Sequence, residues 1–292
     1  MAFDQETGTA SLRKELVDKV IKGRADAAYK FKQAVTISRT NAWKNTFFRE
    51  DTTVLTGKTG NAVKGIPRGG NFPQAVVTWE ERSSYIEKYG LEDFIHYEDI
   101  ITNAIDVQRR TIFRITEGVI KAVDDEIWDV LTESQSVSAI QSITITQGRT
   151  WNAASAAIID NLMQAKQLIA EQNYDTSNLM CFISPLDHRR IVKYLTDKGA
   201  QFPALGNEQA KNGKTGRLAG IQLVQSNSVT ASYALVAVPK VCGTWKEAVP
   251  LQSNLEVDPF KGTRVRVVEL GVTQLTDPDS CVLIINTQNS TD

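Results

Sequence analysis

The stretch from Asn103 to Leu131, NAIDVQRRTIFRITEGVIKAVDDEIWDVL, limits what this chain can fold into more than any other, because it contains no Pro and a single Gly. Ile112, Ile115, Val119, Val123, Ile127 and Val130 recur at intervals of three and four, which places them on one stripe of a single helix. Asn103 can cap the first turn, and Asp106/Arg110 and Glu117/Lys121 are acid-first pairs four apart, the favourable order on a helix. At about 1.5 Å per residue the rod is roughly 40 Å long. That is more than twice the usual helix, so the spacing predicts a beam crossing a whole domain.

Composition narrows the chemistry around that beam. With 292 residues, 41% hydrophobic and 23% charged, the chain can bury one large core or two smaller ones. A net charge of −1 and a pI near 6.2 give no global reason to bind nucleic acid. Residues 1–50, however, carry ten Lys or Arg against six Asp or Glu, a basic segment on an acidic body. Cys181, Cys242 and Cys281 are far apart and set in apolar runs such as LMCFIS and SCVLII; they read as buried free thiols of a reducing compartment and as poor candidates for disulfide staples. No run approaches the roughly 20 apolar residues of a membrane span, and the start MAFDQETGTASLRKE lacks the apolar centre of a signal peptide. A cytoplasmic protein is expected.

No catalytic constellation emerges. Gly57-Lys58-Thr59 and Gly213-Lys214-Thr215 lack the Gly five residues upstream that a phosphate loop requires, since Thr52 and Glu208 stand there. His96 and His188, the only histidines, have no Cys or His at ligand spacing. Ser184, between Ile183 and Pro185, fits a helix cap better than a nucleophile elbow. Neither enzyme activity, nor a metal, nor a cofactor is expected.

Along the chain, Ser11 to Lys32 carries a thin stripe of Leu12, Leu16, Val20 and Ile21; such a helix needs a partner surface, unless it lies solvated on its own domain. Residues 51–89 turn to TGKTGN, KGIPRGGNFP and then QAVVTWEE, loop chemistry followed by strand alternation, which reads as a long hairpin-like excursion. It holds too few apolar residues for a core and must lie on something. Trp128 and Trp151 suit a core, whereas Trp79 in the excursion would need a neighbouring element or chain to bury it. Asp124, Asp125 and Glu126 oppose the dipole at the C-terminal end of the long helix; they are either solvated or meet basic groups of another element. Gln135 to Thr150 reads as strands or a link between subdomains. Ser155 to Gln172 is a second amphipathic helix, LMCFI (Leu179 to Ile183) a buried strand, and Ser184-Pro185 the start of a helix running to Gly199. Residues 196–216 look like a loop, Ile221 to Val224 and Tyr233 to Val238 like strands. Leu251 to Val257, Thr263 to Leu275 and Ser280 to Ile285 are strands parted by the turns DPFKG and TDPDS. Val265 and Val267 alternate on one phase, Val268, Leu270 and Val272 on the other, which predicts a bulge near Val267.

Taken in order, the basic N-terminal arm, the excursion ending in QAVVTWEE, the helix ending in VDDEIWDVL, the block NLMCFISPLDHRRIVKYL, the segment GKTGRLAGIQLVQSNSV and the strand-rich C-terminus resemble a tailed-bacteriophage major capsid protein of the Hong Kong 97 fold. The resemblance covers nearly the whole chain and rests on the order of elements. It implies an α+β fold: an N-terminal arm (1–50), an extended loop (51–90), a peripheral domain with its spine helix (91–152), an axial domain (153–250), return strands of the peripheral domain (251–276), and a C-terminal axial strand and tail (277–292). It further implies self-assembly into hexamers and pentamers of an icosahedral shell that encloses a double-stranded DNA genome, in a virion built in the host cytoplasm. The implied partners are further copies of the chain, a separate scaffolding protein, a portal, a possible decoration protein and packaged DNA without sequence recognition; no membrane is involved.

On the same resemblance, Lys64, Arg68, Trp79, Glu80, Glu81 and Arg82 of the extended loop make contacts between subunits. Asp124, Asp125 and Glu126 mark the spine helix, and Asp258, Phe260 and Lys261 lie in the peripheral-domain loop near local threefold axes. Some relatives join a loop Lys to an Asn there, with a buried Glu nearby. Here Lys58, Lys64 and Glu269 match, but residues 258–263 contain no Asn, so no covalent link between subunits is expected. A cellular nanocompartment shell of the same fold, holding protein cargo, is the alternative; a soluble nucleotide-binding enzyme would need the missing phosphate loop.

Overall fold

The computed structural model describes residues 29–50, 68–71, 79–102, 107–135, 140–153, 155–197 and 216–288. The chain first forms β1 (Thr36–Arg39), an antiparallel ribbon of β2 (Lys44–Glu50) and β3 (Trp79–Tyr85), and β4 (Glu87–His96). A short helix α1 (Tyr97–Thr102) leads towards the long helix α2 (Val107–Leu131); the proposed cap Asn103 and its partner Asp106 lie outside the described residues. Then come β5 (Gln141–Thr144), α3 (Ile158–Glu171), β6 (Met180–Ile183), α4 (Pro185–Asp197), β7 (Arg217–Leu218), β8 (Ile221–Gln225) and β9 (Tyr233–Ala237). Two long strands, β10 (Gly243–Asp258) and β11 (Gly262–Leu275), precede the last, β12 (Cys281–Ile285).

Helix α2 is the predicted beam. Ile112, Ile115, Val119, Val123 and Ile127 are buried, Val130 is half-buried, and Ile120, Trp128 and Leu131 widen the stripe. On its outer side Arg114 meets Glu117 at 3.8 Å and Lys121 meets Asp125 at 2.6 Å. The helix packs on a four-stranded sheet of order β1-β10-β11-β4, in which β1 runs parallel to β10 and the other pairs are antiparallel. Its C-terminal half reaches a six-stranded sheet, β5-β12-β9-β6-β8-β7.

Residues of that second sheet alternate between two cores, as the two-residue period of a strand requires. Phe182, Leu235, Ala237, Cys281 and Leu283 face the core built around α2, while Cys181, Ile183, Ala234, Val236, Val282 and Ile284 face the core shared with α3 and α4. Burial on both faces explains why LMCFI and CVLII are unbroken apolar runs. Helix α4 begins as predicted: Ser184 Oγ accepts the Asp187 N–H at 3.1 Å and donates to Asp187 Oδ2 at 2.9 Å.

The bulge expected near Val267 is not there. In β11 the inward row runs without interruption through Val265, Val267, Glu269, Gly271 and Thr273, all buried, and β11 pairs in register with β4 from Gly262 to Gly271. The phase seemed to slip only because a carboxylate occupies an inward place. Irregular pairing lies instead in β10, between Glu247 and Val249 and between Val249 and Gln252, around Ala248 and Pro250, whose missing N–H suits a break in the ladder.

Candidate subunit-contact surface

The ribbon joins β2 to β3 in the register Glu50↔Trp79, Phe48↔Glu81, Thr46↔Ser83 and Lys44↔Tyr85, so these eight residues share one face. The opposite face is fastened to the body. There Arg49 donates from Nε to Leu275 O and from Nη2 to Glu133 Oε1, both at 3.0 Å, and Gln274 Nε2 donates to Ser84 Oγ at 2.7 Å. A two-stranded ribbon is marginal on its own, and the buried Arg49 fork gives this one a fixed root. Its free face carries Phe48, Trp79 and Tyr85, which are 56%, 58% and 56% exposed. Trp128 and Trp151 are core residues, as expected; Trp79 is not.

The loop charges are distributed unevenly. Arg82 pairs with Glu80 inside the ribbon, Nη2 to Oε1 at 2.8 Å and Nε to Oε1 at 3.0 Å, while Glu81 and Arg68 are exposed. Lys58 and Lys64 lie outside the described residues, as does most of the excursion, including the alternating run 74–78.

The three helix acids point three ways, because successive residues turn by about 100°. Asp125 is the solvated one, paired with Lys121. Asp124 is buried and meets no cation as its nearest partner: it accepts the backbone N–H of Lys30 at 3.0 Å and of Phe31 at 3.2 Å. Burial pushes its carboxyl up to about 6, against the pull of those two bonds. Glu126 is half-buried and also raised, first by burial and then by Glu87 and Asp129.

What Asp124 holds is Lys30 and Phe31, within the stretch that the resemblance assigns to the arm. Phe31 is fully buried, stacked on Phe182 at 4.3 Å and edge-on to Trp128 at 5.6 Å, so it plugs the junction between the two sheets. Beside it, Glu269 accepts from Tyr29 Oη–H and from Lys32 Nζ. The Lys32 ammonium also lies 3.9 Å from the Tyr29 ring centre and 5.0 Å from that of Trp245. Burial, followed by the Glu269 charge, pushes the Tyr29 phenol up. Glu269 is thus engaged by its own chain.

The β10–β11 hairpin ends in a left-handed turn at Phe260, φ 61°, with Lys261 near Asp258 at 3.7 Å. Phe260 is 83% exposed and lies edge-on to Tyr97, 6.2 Å between ring centres. Gly262 is needed where the chain returns: with φ at 148°, a Cβ would lie 2.1 Å from Ile95 O. Lower down, Arg266 bridges Glu92 at 2.6 Å and Glu256 at 3.2 Å across the outer face of the sheet.

Sequence reasoning missed Phe31, Lys32, Arg49, Phe48 and Tyr85. Only Phe48, in the run NTFFRE, carried any strand signal. Among the described residues no cluster of His, Cys, Asp and Glu could hold a metal, and no helix is long and apolar enough to cross a membrane.

The sequence model of the family described as phage capsid protein matches residues 79–284. No curated protein matches the sequence. Among solved structures, the fold is similar to the capsid of the cyanophage P-SCSP1u, with a TM-score of 0.67 at 15% identity over 88% of each chain. It is also similar to Mycobacterium phage Che8, at 0.63 and 12% over 89% of this chain and 92% of that one. A virus-like particle from Pyrococcus furiosus gives 0.61 and 11%, over 92% and 98%. The architecture is the Hong Kong 97 capsid fold.

Proposed function

From the premise that this chain belongs to the family of phage capsid proteins, we propose that it is a major capsid protein that assembles through hexamers and pentamers into an icosahedral shell around a double-stranded DNA viral genome. The observation that carries this reading is the ribbon, which is rooted by Arg49 yet holds Phe48, Trp79 and Tyr85 out in water. A face that holds three large aromatic side chains out in water fits a contact surface, and in a closed shell the next copy covers it. Glu81, on the same face, and Lys64, Arg68, Glu80 and Arg82 elsewhere in the loop supply charge pairs to neighbouring copies. The tip Asp258, Phe260 and Lys261 meets other copies about local threefold axes.

In this reading the shell protein performs no catalysis and needs no cofactor. A scaffolding protein, a portal and packaged DNA are its further partners, with the excess of Lys and Arg in residues 1–50 facing the phosphates without reading sequence. The likeness to the Pyrococcus furiosus virus-like particle supports a second reading, a cellular nanocompartment shell with protein cargo. The nucleic acid content of purified particles separates the two.

Negative-stain microscopy of the purified chain should reveal rings and shells. Monomer alone, across ionic strengths and with or without a scaffold, would sink the proposal. Because residues 258–263 offer no Asn and Glu269 is occupied by Tyr29 and Lys32, particles boiled in detergent under reducing conditions should release one band near 32.3 kDa. A ladder of multiples would reveal covalent joining.

A further inference from the structure

Strand β12 lies inside the six-stranded sheet, parallel to β5 on one side and antiparallel to β9 on the other. Leu283 stands opposite Leu235 and faces the core around α2, while Ile284 stands opposite Ile143 and faces the core shared with α3 and α4. Every residue from Cys281 to Ile285 is apolar. A strand with one polar face is held in register because a slip of one residue would turn that face into the core. In β12 the same slip merely exchanges Cys281 and Leu283 for Val282 and Ile284, apolar for apolar. Hydrophobic pattern therefore does not fix where this strand stops.

Polar groups just beyond the strand can. After Ile285 the chain turns through Asn286, φ 64°, and Thr287 donates its N–H to Ser232 O at 3.0 Å while its O accepts the Trp151 N–H at 2.9 Å. The Thr287 hydroxyl donates to Asp187 Oδ2 at 3.0 Å. Gln288 Nε2 donates to Asp187 Oδ1 at 3.1 Å and to Ser184 Oγ at 3.2 Å, and Arg190 Nη1 lies 3.7 Å from the same Oδ1. Asp187 and Thr287 are both fully buried. An acid at the third position of a helix usually serves the N-terminus of that helix. Asp187 in addition ties α4 to the residues that follow β12.

We propose that Asp187 is a positioning residue that sets the register of β12 between β5 and β9. A slip of one residue carries Thr287 and Gln288 about 3.3 Å along the strand, away from a buried carboxylate that is then short of its donors, and such a group is costly to leave unpaired. The apolar strand itself loses little by the slip, so the clasp decides. The entry to β12 is held less specifically. Asp277 is fixed, by the Tyr174 hydroxyl at 2.6 Å and by its own N–H to Cys242 O at 3.3 Å, but the turn Pro278–Ser280 separates it from the strand and three residues can take up a shift of one. Val238 N–H to Ser280 O, 3.0 Å, is a ladder bond that a neighbouring carbonyl can also accept. Fixing register is the best-attested service of a buried polar group, and here it is independent of whether the chain forms a shell.

The test is methyl NMR on the unassembled chain, labelled at Ile, Leu and Val, for the native sequence, Asp187→Ala and Asp187→Asn. The native chain should give cross-strand contacts between Leu283 and Leu235 and between Ile284 and Ile143. Asp187→Ala should give a second set of signals in which both contacts are lost and Leu283 meets the core of α3 and α4, whereas Asp187→Asn, which keeps a side-chain acceptor, should return to one native set. A single native set in Asp187→Ala, even with a lower melting temperature, would overturn the proposal and leave Asp187 a stabilising group alone. If Asp187→Ala does not fold, Thr287→Val decides, since it removes one donor and keeps the carboxylate: a minor second set supports the assignment, and its absence overturns it.

Discussion

The six-stranded sheet and the β2–β3 ribbon solve the same problem in opposite ways. The sheet presents apolar side chains on two faces and covers both from within the chain, with α2 on one and α3 and α4 on the other. The ribbon is fastened by one face and leaves Phe48, Trp79 and Tyr85 on the other uncovered. The first is covered by helices of its own chain, whereas on the proposed reading another copy covers the free face of the ribbon. Substitutions that strike each region should separate along that line.

The largest loss is expected at the junction. Phe31→Ala removes the ring stacked on Phe182 and leaves a cavity between the sheets, a change worth about 3–5 kcal/mol. Against a total stability on the order of 5–15 kcal/mol, thermal or urea unfolding should show it plainly. A loss below about 1 kcal/mol would mean that the segment from Tyr29 to Val35 is an accessory, and the contrast between a finished core and an unfinished ribbon would fail.

A loss of similar size is expected from Lys32→Met, which strands Glu269 in an apolar site at a cost of about 3–5 kcal/mol. The double substitution Lys32→Met with Glu269→Leu should recover much of it, because removing both buried charges also removes the need to pair them. A double variant as unstable as the two single losses combined would show that packing, not charge, governs this row.

Asp124 yields a smaller effect with a definite sign. Its folded pKa of about 6 lies above its ordinary 3.8, so the folded state binds the proton more tightly than the unfolded chain. The contribution is greatest below the unfolded value and is lost as pH rises through about 6. Relative to Asp124→Asn, the native chain should gain stability as pH falls from about 6 to about 4, by up to roughly 3 kcal/mol. Urea midpoints of both chains across that range measure it. A difference that does not vary with pH would place the Asp124 carboxylate in contact with water.

Local patterns made part of this legible. Helix α2 and the strands MCFI and CVLII are written in the spacing and continuity of apolar residues, and Ser184-Pro185 marks a helix start, because each depends on neighbours a few positions away. Glu269 could not be read that way. Its inward place makes sense only with Tyr29 and Lys32 some 240 and 237 residues earlier, so it looked like a slip of phase. The sequence leaves Asp124 open to solvent or a basic partner, whereas its ligands are the backbone amides of Lys30 and Phe31, which no side-chain pattern announces. Trp79 was the reverse case: its lack of local core partners was visible in the chain, and its exposure in the folded subunit agrees.

The smallest effect on folding is expected at that residue. Trp79 stands opposite Glu50 in the ribbon, and at 58% exposed its removal should change subunit stability by no more than about 0.5 kcal/mol. Phe48→Ala should behave alike, since Phe48 lies on the same face. Assembly is another matter, because an aromatic anchor desolvated at the centre of a contact typically contributes about 2 kcal/mol or more, and a shell repeats each contact many times. Trp79→Ala should therefore keep its circular dichroism and melting temperature while light scattering and microscopy record few or no shells. Unfolding of the mutant subunit would make Trp79 ordinary core. A folded mutant that still assembles at native concentrations would move the contact to another surface, with the Phe260 hairpin tip the next to test.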